Sequence, residues 1–168
     1  MSDLEQTTNL KFLFHNLTNI WEDFCRCHHL LYDFTCQEHI NLMESDIDGL
    51  EKTALEKDKV LLDIEQLDTL RKECVNDISH IINPNNPATK ISELIELVEG
   101  RVDEKELDTL KKLNLLLIDI IQKLQEQNKR NQIFLNRSII SLNELKEEFT
   151  GKKYSTYGPS GNTNASTK

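Results

Sequence analysis

Glycine and proline are scarce, with 5 and 3 in 168 residues. Before Gly151 the only glycines are Gly49 and Gly100, and the only prolines are Pro84 and Pro87. Sheet proteins need turn residues at short intervals, so this scarcity excludes a sandwich or barrel and leaves long helices. Long apolar runs are also missing. The longest, residues 115–118, is bounded by Asn114 and Asp119, far short of the ~18 residues of a membrane span. No membrane insertion is expected. The opening residues, MSDLEQTTNLKFLF, carry acids where a secretory signal has basic residues. The expected compartment is therefore the cytosol, with Cys25, Cys27, Cys36 and Cys74 reduced and unpaired. No glycine-rich phosphate loop, nucleophile elbow or HExxH occurs, and the carboxylates are spread over helix faces. A binding protein without a cofactor is expected, not an enzyme.

Charge of one sign dominates. The net charge is −9, from 20 basic and 29 acidic residues. The last 18 residues contain Lys152, Lys153 and Lys168 and no acid, so residues 1–150 hold 17 basic against 29 acidic residues. Such a body repels nucleic-acid phosphates and anionic lipid. It accommodates partners with basic or neutral apolar surfaces.

What the chain has in abundance is three-four apolar stepping. A first helix is expected over residues 8–43, through Leu10, Leu13, Leu17, Ile20, Phe24, Cys27, Leu31 and Phe34. Phe12, Phe14 and Trp21 widen its apolar face, so it should pack on more than one neighbour. A second helix should begin at Ser45 or Asp46, either of which suits an N-cap. Its seam runs through Ile47, Leu50, Ala54, Leu61, Ile64, Leu67, Leu70, Cys74 and Ile78. It should stop at Asn83 and Pro84. Residues 91–98 read as a two-turn helix closed by Gly100. Asp103 and Glu106 read as a capping box for the longest helix, residues 104–149. Its seam is Leu107, Leu110, Asn114, Leu117, Ile121, Leu124, Asn128, Asn131, Leu135, Ser138, Leu142, Leu145 and Phe149.

The expected fold is all-α: an elongated antiparallel helical bundle or coiled coil of three long helices plus one short helix. Residues 1–150 form the helical domain, and residues 151–168 form a basic tail too polar to order itself. At ~1.5 Å per residue the first two helices span roughly 55 Å and the last roughly 70 Å. The final turns of the long helix should outrun their partners, leaving Leu142, Leu145 and Phe149 as a binding surface.

Two groups of residues invite a site. Cys25, Cys27, His28, His29, Cys36 and His39 resemble metal ligands in type. A straight helix separates Cys25 from Cys36 by ~16 Å, however, so no four-ligand zinc site closes from this set. Cys74 and His80 belong at the far end of the second helix, beside the start of the first. Asn114, Asn128, Asn131 and Ser138 interrupt an apolar seam, where buried polar groups fix register or soften a surface held open for a partner. Both readings stand on the sequence alone.

The order and spacing of several residues resemble the FlgN family of flagellar export chaperones. Glu38, His39, Leu42, Ser45, Asp46 and Leu50, followed by Lys57, Leu61, Ile64 and Leu67, are similar to one family segment, with His39 where the family has arginine. Leu124, Asn128, Asn131, Leu135 and Ser138 resemble a second, and Tyr157 with Gly158 a third. The resemblance implies a cytosolic chaperone that binds the C-terminal helices of the hook–filament junction proteins FlgK and FlgL. It also implies delivery to the export gate FlhA. Cargo would be held by Asn128, Asn131, Leu135, Ile139, Leu142, Leu145 and Phe149. Tyr154 and Tyr157 would meet the gate. The expected state is a monomer or weak homodimer, the alternative being a self-associating coiled-coil scaffold without cargo.

Overall fold

The structure, a computed structural model, describes residues 3–85, 88 and 90–150. Four helices follow in order: α1 (Asp3–Glu44), α2 (Ile47–Ile82), α3 (Ile91–Val98) and α4 (Glu104–Thr150). No strand occurs among the described residues. The chain falls into two units, Met1–Asn131 and Gln132–Lys168. The expected tail, residues 151–168, lies outside the described residues.

Helix ends sit where backbone chemistry puts them. Only Ser45 and Asp46 separate α1 from α2. Ser45 takes the left-handed conformation (φ 58°) that closes a helix, and Asp46 caps α2 by accepting from the Gly49 amide at 3.0 Å. A Cβ at position 49 would run into the Asp46 carboxylate, which explains a glycine inside a helix. Asp46→Ala should lower stability by about 1 kcal/mol, the ordinary worth of a cap, measurable by urea unfolding. α2 ends as the Asn83 amide bonds back to Ser79 O at 2.7 Å, just before Pro84. Gly100, at φ +74°, closes α3. Only half of the expected capping box forms at α4. Asp103 accepts from the Lys105 amide at 2.8 Å, but the Glu106 carboxylate turns to His15 on α1, 2.7 Å away.

Within Met1–Asn131, α1 touches both long neighbours. Cys74 Sγ donates to Leu13 O at 3.2 Å, and Lys57 meets Glu38 at 3.0 Å. Asn41 donates to Thr53 at 3.0 Å. These pairs run α1 and α2 antiparallel. Toward α4, His15 meets Glu106, Trp21 meets Asn114 and Asn131 meets Thr35. Numbers rise together, so α4 lies parallel to α1. One core joins all four helices through Leu10, Phe14, Leu17, Ile78, Leu94 and Leu110. A smaller one gathers Leu31, Val60 and Leu124.

The buried faces of α1 and α2 follow the apolar stepping only in part. On α1 the seam residues Leu10, Leu17, Phe24 and Leu31 are buried, together with Phe14, Trp21, Thr35 and Leu42 beside the seam, while Leu13, Ile20, Cys27 and Phe34 are half-buried. α1 meets two helices at once, so its contact face is broader than the seam. Phe14 and Trp21 do widen that face, but Phe12 is 62% exposed and does not. On α2 the seam residues Cys74 and Ile78 are buried, as are Thr53 and Val60 off the seam, whereas Ile47, Leu61 and Leu70 are exposed. α4 follows its expected seam, with Leu107, Leu110, Leu124 and Asn131 buried.

Candidate functional site

In α4 the residue types stay apolar after the burial stops. From residue 132 to residue 150 no side chain is buried, and only Phe134 and Ser138 are half-buried. Leu135, Ile139, Leu142, Leu145 and Phe149 are all exposed, Leu142 at 64% and Phe149 at 87%. Their spacing by three and four aligns them along one side of the helix. Nothing in this stripe is acidic. Lys146, Glu147 and Glu148 interleave with its last turn. Contiguous exposed apolar strips are commonly docking surfaces for amphipathic elements. Ile133 and Ile140 are exposed as well. They lie seven residues apart and off the stripe, which is why three-four stepping passes over them.

The asparagines divide. Asn131 is only 3% exposed. Its amide donates to Thr35 O and to Glu38 Oε2, both at 2.9 Å. Its oxygen accepts from Gln127 at 3.1 Å. Glu38 Oε2 is also the partner of Lys57, so α1, α2 and α4 meet at one polar clasp. The donors and the acceptor of Asn131 are thus met inside the first unit. Asn128 stands half-buried one turn earlier. Tyr154 and Tyr157 lie outside the described residues.

The cysteines and histidines of α1 do not converge. Among the described residues no three His, Cys, Asp or Glu side chains come together to hold a metal ion. Cys25 and Cys74 are buried, and all four cysteines are free thiols. Cys25 Sγ donates to Leu113 O on α4 at 3.4 Å. Burial, aided by Asp77, pushes the Cys74 thiol up to about 11. It therefore stays protonated at pH 8, where an ordinary thiol begins to ionise. Iodoacetamide at pH 8 should modify Cys36 well before Cys74 in the folded protein, and both equally in denaturant. Because the folded state keeps a proton that the unfolded state loses, this thiol costs stability as pH climbs past about 8.5.

A cavity of about 360 Å³ is lined by Trp21, Phe24, Ile64, Leu117 and Ile121, with Asp68 and Arg71 among its other residues. Those two charges are spent on each other, Arg71 Nε donating to Asp68 at 2.9 Å. Lys72 first, then Arg71, holds the Asp68 carboxyl below its ordinary range. A carboxylate so paired is a poor proton shuttle.

No helix among the described residues is long and apolar enough to cross a membrane. Among the described residues the protein is built of helices alone and exposes an apolar strip along the end of α4. The FlgN protein family matches residues 10–165 of the chain. The protein belongs to the FlgN family, whose members are chaperone-type proteins of flagellar assembly rather than known enzymes. Family membership implies binding of flagellar hook-associated proteins in general. Comparison with curated proteins and with solved structures returns no match.

Proposed function

We propose that this protein is a cytosolic chaperone for the hook–filament junction proteins of the flagellum, FlgK-like and FlgL-like. It lays the stripe of Leu135, Ile139, Leu142, Leu145 and Phe149 against the amphipathic C-terminal helix of its guest. The observation that carries this reading is the run of exposed apolar side chains along one side of α4, in a chain that belongs to the FlgN family. Burying five such side chains is worth roughly 10 kcal/mol gross, before ordering costs remove much of it. A dissociation constant near the micromolar range follows. Asn128, half-buried beside the start of the stripe, supplies an amide to the rim. Asn131 belongs to the internal clasp.

The guest helix must remain unpaired until secretion, and a shallow exposed strip suits such a hand-over because it releases quickly. In the same reading, Tyr154 and Tyr157 of the basic tail carry the contact with the export gate, FlhA. The test is titration of the purified chain with FlgK and FlgL proteins of the same organism. Micromolar or tighter binding that is lost on removal of their C-terminal helices is the expected result. Binding that survives that removal would overturn the reading.

A further inference from the structure

We propose that Asn114 and Asn131 are two register pins, which hold α4 in the one alignment on α1 that leaves the stripe beyond Asn131 available to a guest. The inference rests on the chaperone reading for its purpose, but not for its geometry.

The seam of α4 repeats every seven residues, and a repeating seam can slide. Leu110, Leu117 and Leu124 are seven apart, so moving α4 by two turns, about 10.5 Å, would exchange leucine for leucine. The asparagines break that degeneracy. Asn114 Oδ1 accepts from the indole N–H of Trp21 at 3.3 Å. Asn131 bonds Thr35 O and Glu38 at 2.9 Å each. Slid one way, Asn114 would enter the place of Leu107, and Asn131 that of Leu124 between Leu31 and Val60. Both places are buried and apolar, so two amides would lose their partners there. Slid the other way, Leu107 would face the Trp21 N–H and Leu124 would face Glu38. Either error leaves a buried polar group unmatched, and this is how a seam asparagine specifies register at the expense of stability.

Register matters to function because the first slide would carry Leu135 into the half-buried place of Asn128 and Ser138 into that of Asn131. The stripe would begin later and lose its first leucine.

The experiment combines Asn114→Leu with Asn131→Leu in a His15→Lys background. His15 lies 2.7 Å from Glu106, so a lysine there reports the native register as a carbodiimide crosslink to Glu106, read by mass spectrometry. The asparagine-containing chain should give this crosslink. The leucine pair should remain helical and melt no lower than its parent. It should lose most of the crosslink and bind a peptide of the FlgK C-terminal helix about tenfold more weakly. An undiminished crosslink in the leucine pair would overturn the proposal. If the leucine pair does not fold, Asn114→Ser with Asn131→Ser removes both amides in less volume, and the same crosslink decides. A parent chain that crosslinks correctly yet ignores the peptide would sink the chaperone reading and leave the pins standing.

Discussion

Leu142→Asp combined with Leu145→Asp will leave the circular dichroism of the chain helical and weaken guest binding by roughly a hundredfold or more. Both leucines are already exposed, so the folded state gives up little burial when they are replaced. Surface changes of that kind stay within about 0.5 kcal/mol each, with a similar helix-propensity cost for aspartate. In the complex the balance reverses. Two carboxylates would have to be desolvated against an apolar guest, at a cost of several kcal/mol, and a hundredfold corresponds to about 2.7 kcal/mol. Calorimetric titration with a FlgK-type protein measures the difference. Unaltered affinity in a well-folded variant would remove this stripe from the binding site.

Phe14→Ala will have the largest effect on stability of any single aromatic truncation on α1, about 3–5 kcal/mol. Phe14 is fully buried in the core that joins Leu17 of α1, Ile78 of α2, Leu94 of α3 and Leu110 of α4. A cavity opened there has walls on all sides and collapses poorly. At the usual few degrees per kcal/mol the melting temperature should fall by roughly 10 °C. Phe12→Ala is the control, two residues away and largely exposed, and it should change stability by less than about 0.5 kcal/mol. Equal losses in the two variants would mean that the side of α1 facing the core is wrongly placed. Thermal unfolding followed at 222 nm distinguishes them.

Much of the helix plan was legible in the residues. Pro84 lies just after the end of α2 and Gly100 just after that of α3, while Asp46 and Asp103 open α2 and α4. Each acts through its own backbone chemistry, which requires no knowledge of the tertiary fold. The seam of α4 was legible for a related reason, since one face of that helix meets its neighbours and the leucines mark it.

The buried faces of α1 and α2 were legible only in part by the same rule, which found Leu10, Leu17, Phe24, Leu31, Cys74 and Ile78, and threonine shows why. Thr18, Thr35 and Thr53 are all buried, yet an apolar count passes over them. Their hydroxyls donate to the carbonyls of Phe14, Leu31 and Gly49, four residues back, at 3.1, 2.8 and 2.8 Å. Each satisfies itself within its own helix and enters the interior at little polar cost. Asn41 likewise goes inside because Thr53 and Gln37 meet it. Which of these residues is covered depends on which helix lies opposite.

The sequence by itself determined that this protein is helical, where α2, α3 and α4 start and stop, that its charge is acidic, and that a leucine-rich seam runs to the end of the last helix. Those properties are local, fixed by backbone capping, periodicity and charge over a few residues at a time. Only the tertiary structure decided which seam residues are covered. Leu124 and Leu142 are the same residue type on the same helix, but one has Leu31 and Val60 against it and the other has solvent. Only the structure, too, shows what meets the Asn131 amide, because its partners Thr35 and Glu38 lie on another helix. Burial is a property of neighbours distant in sequence, and residue type does not encode it.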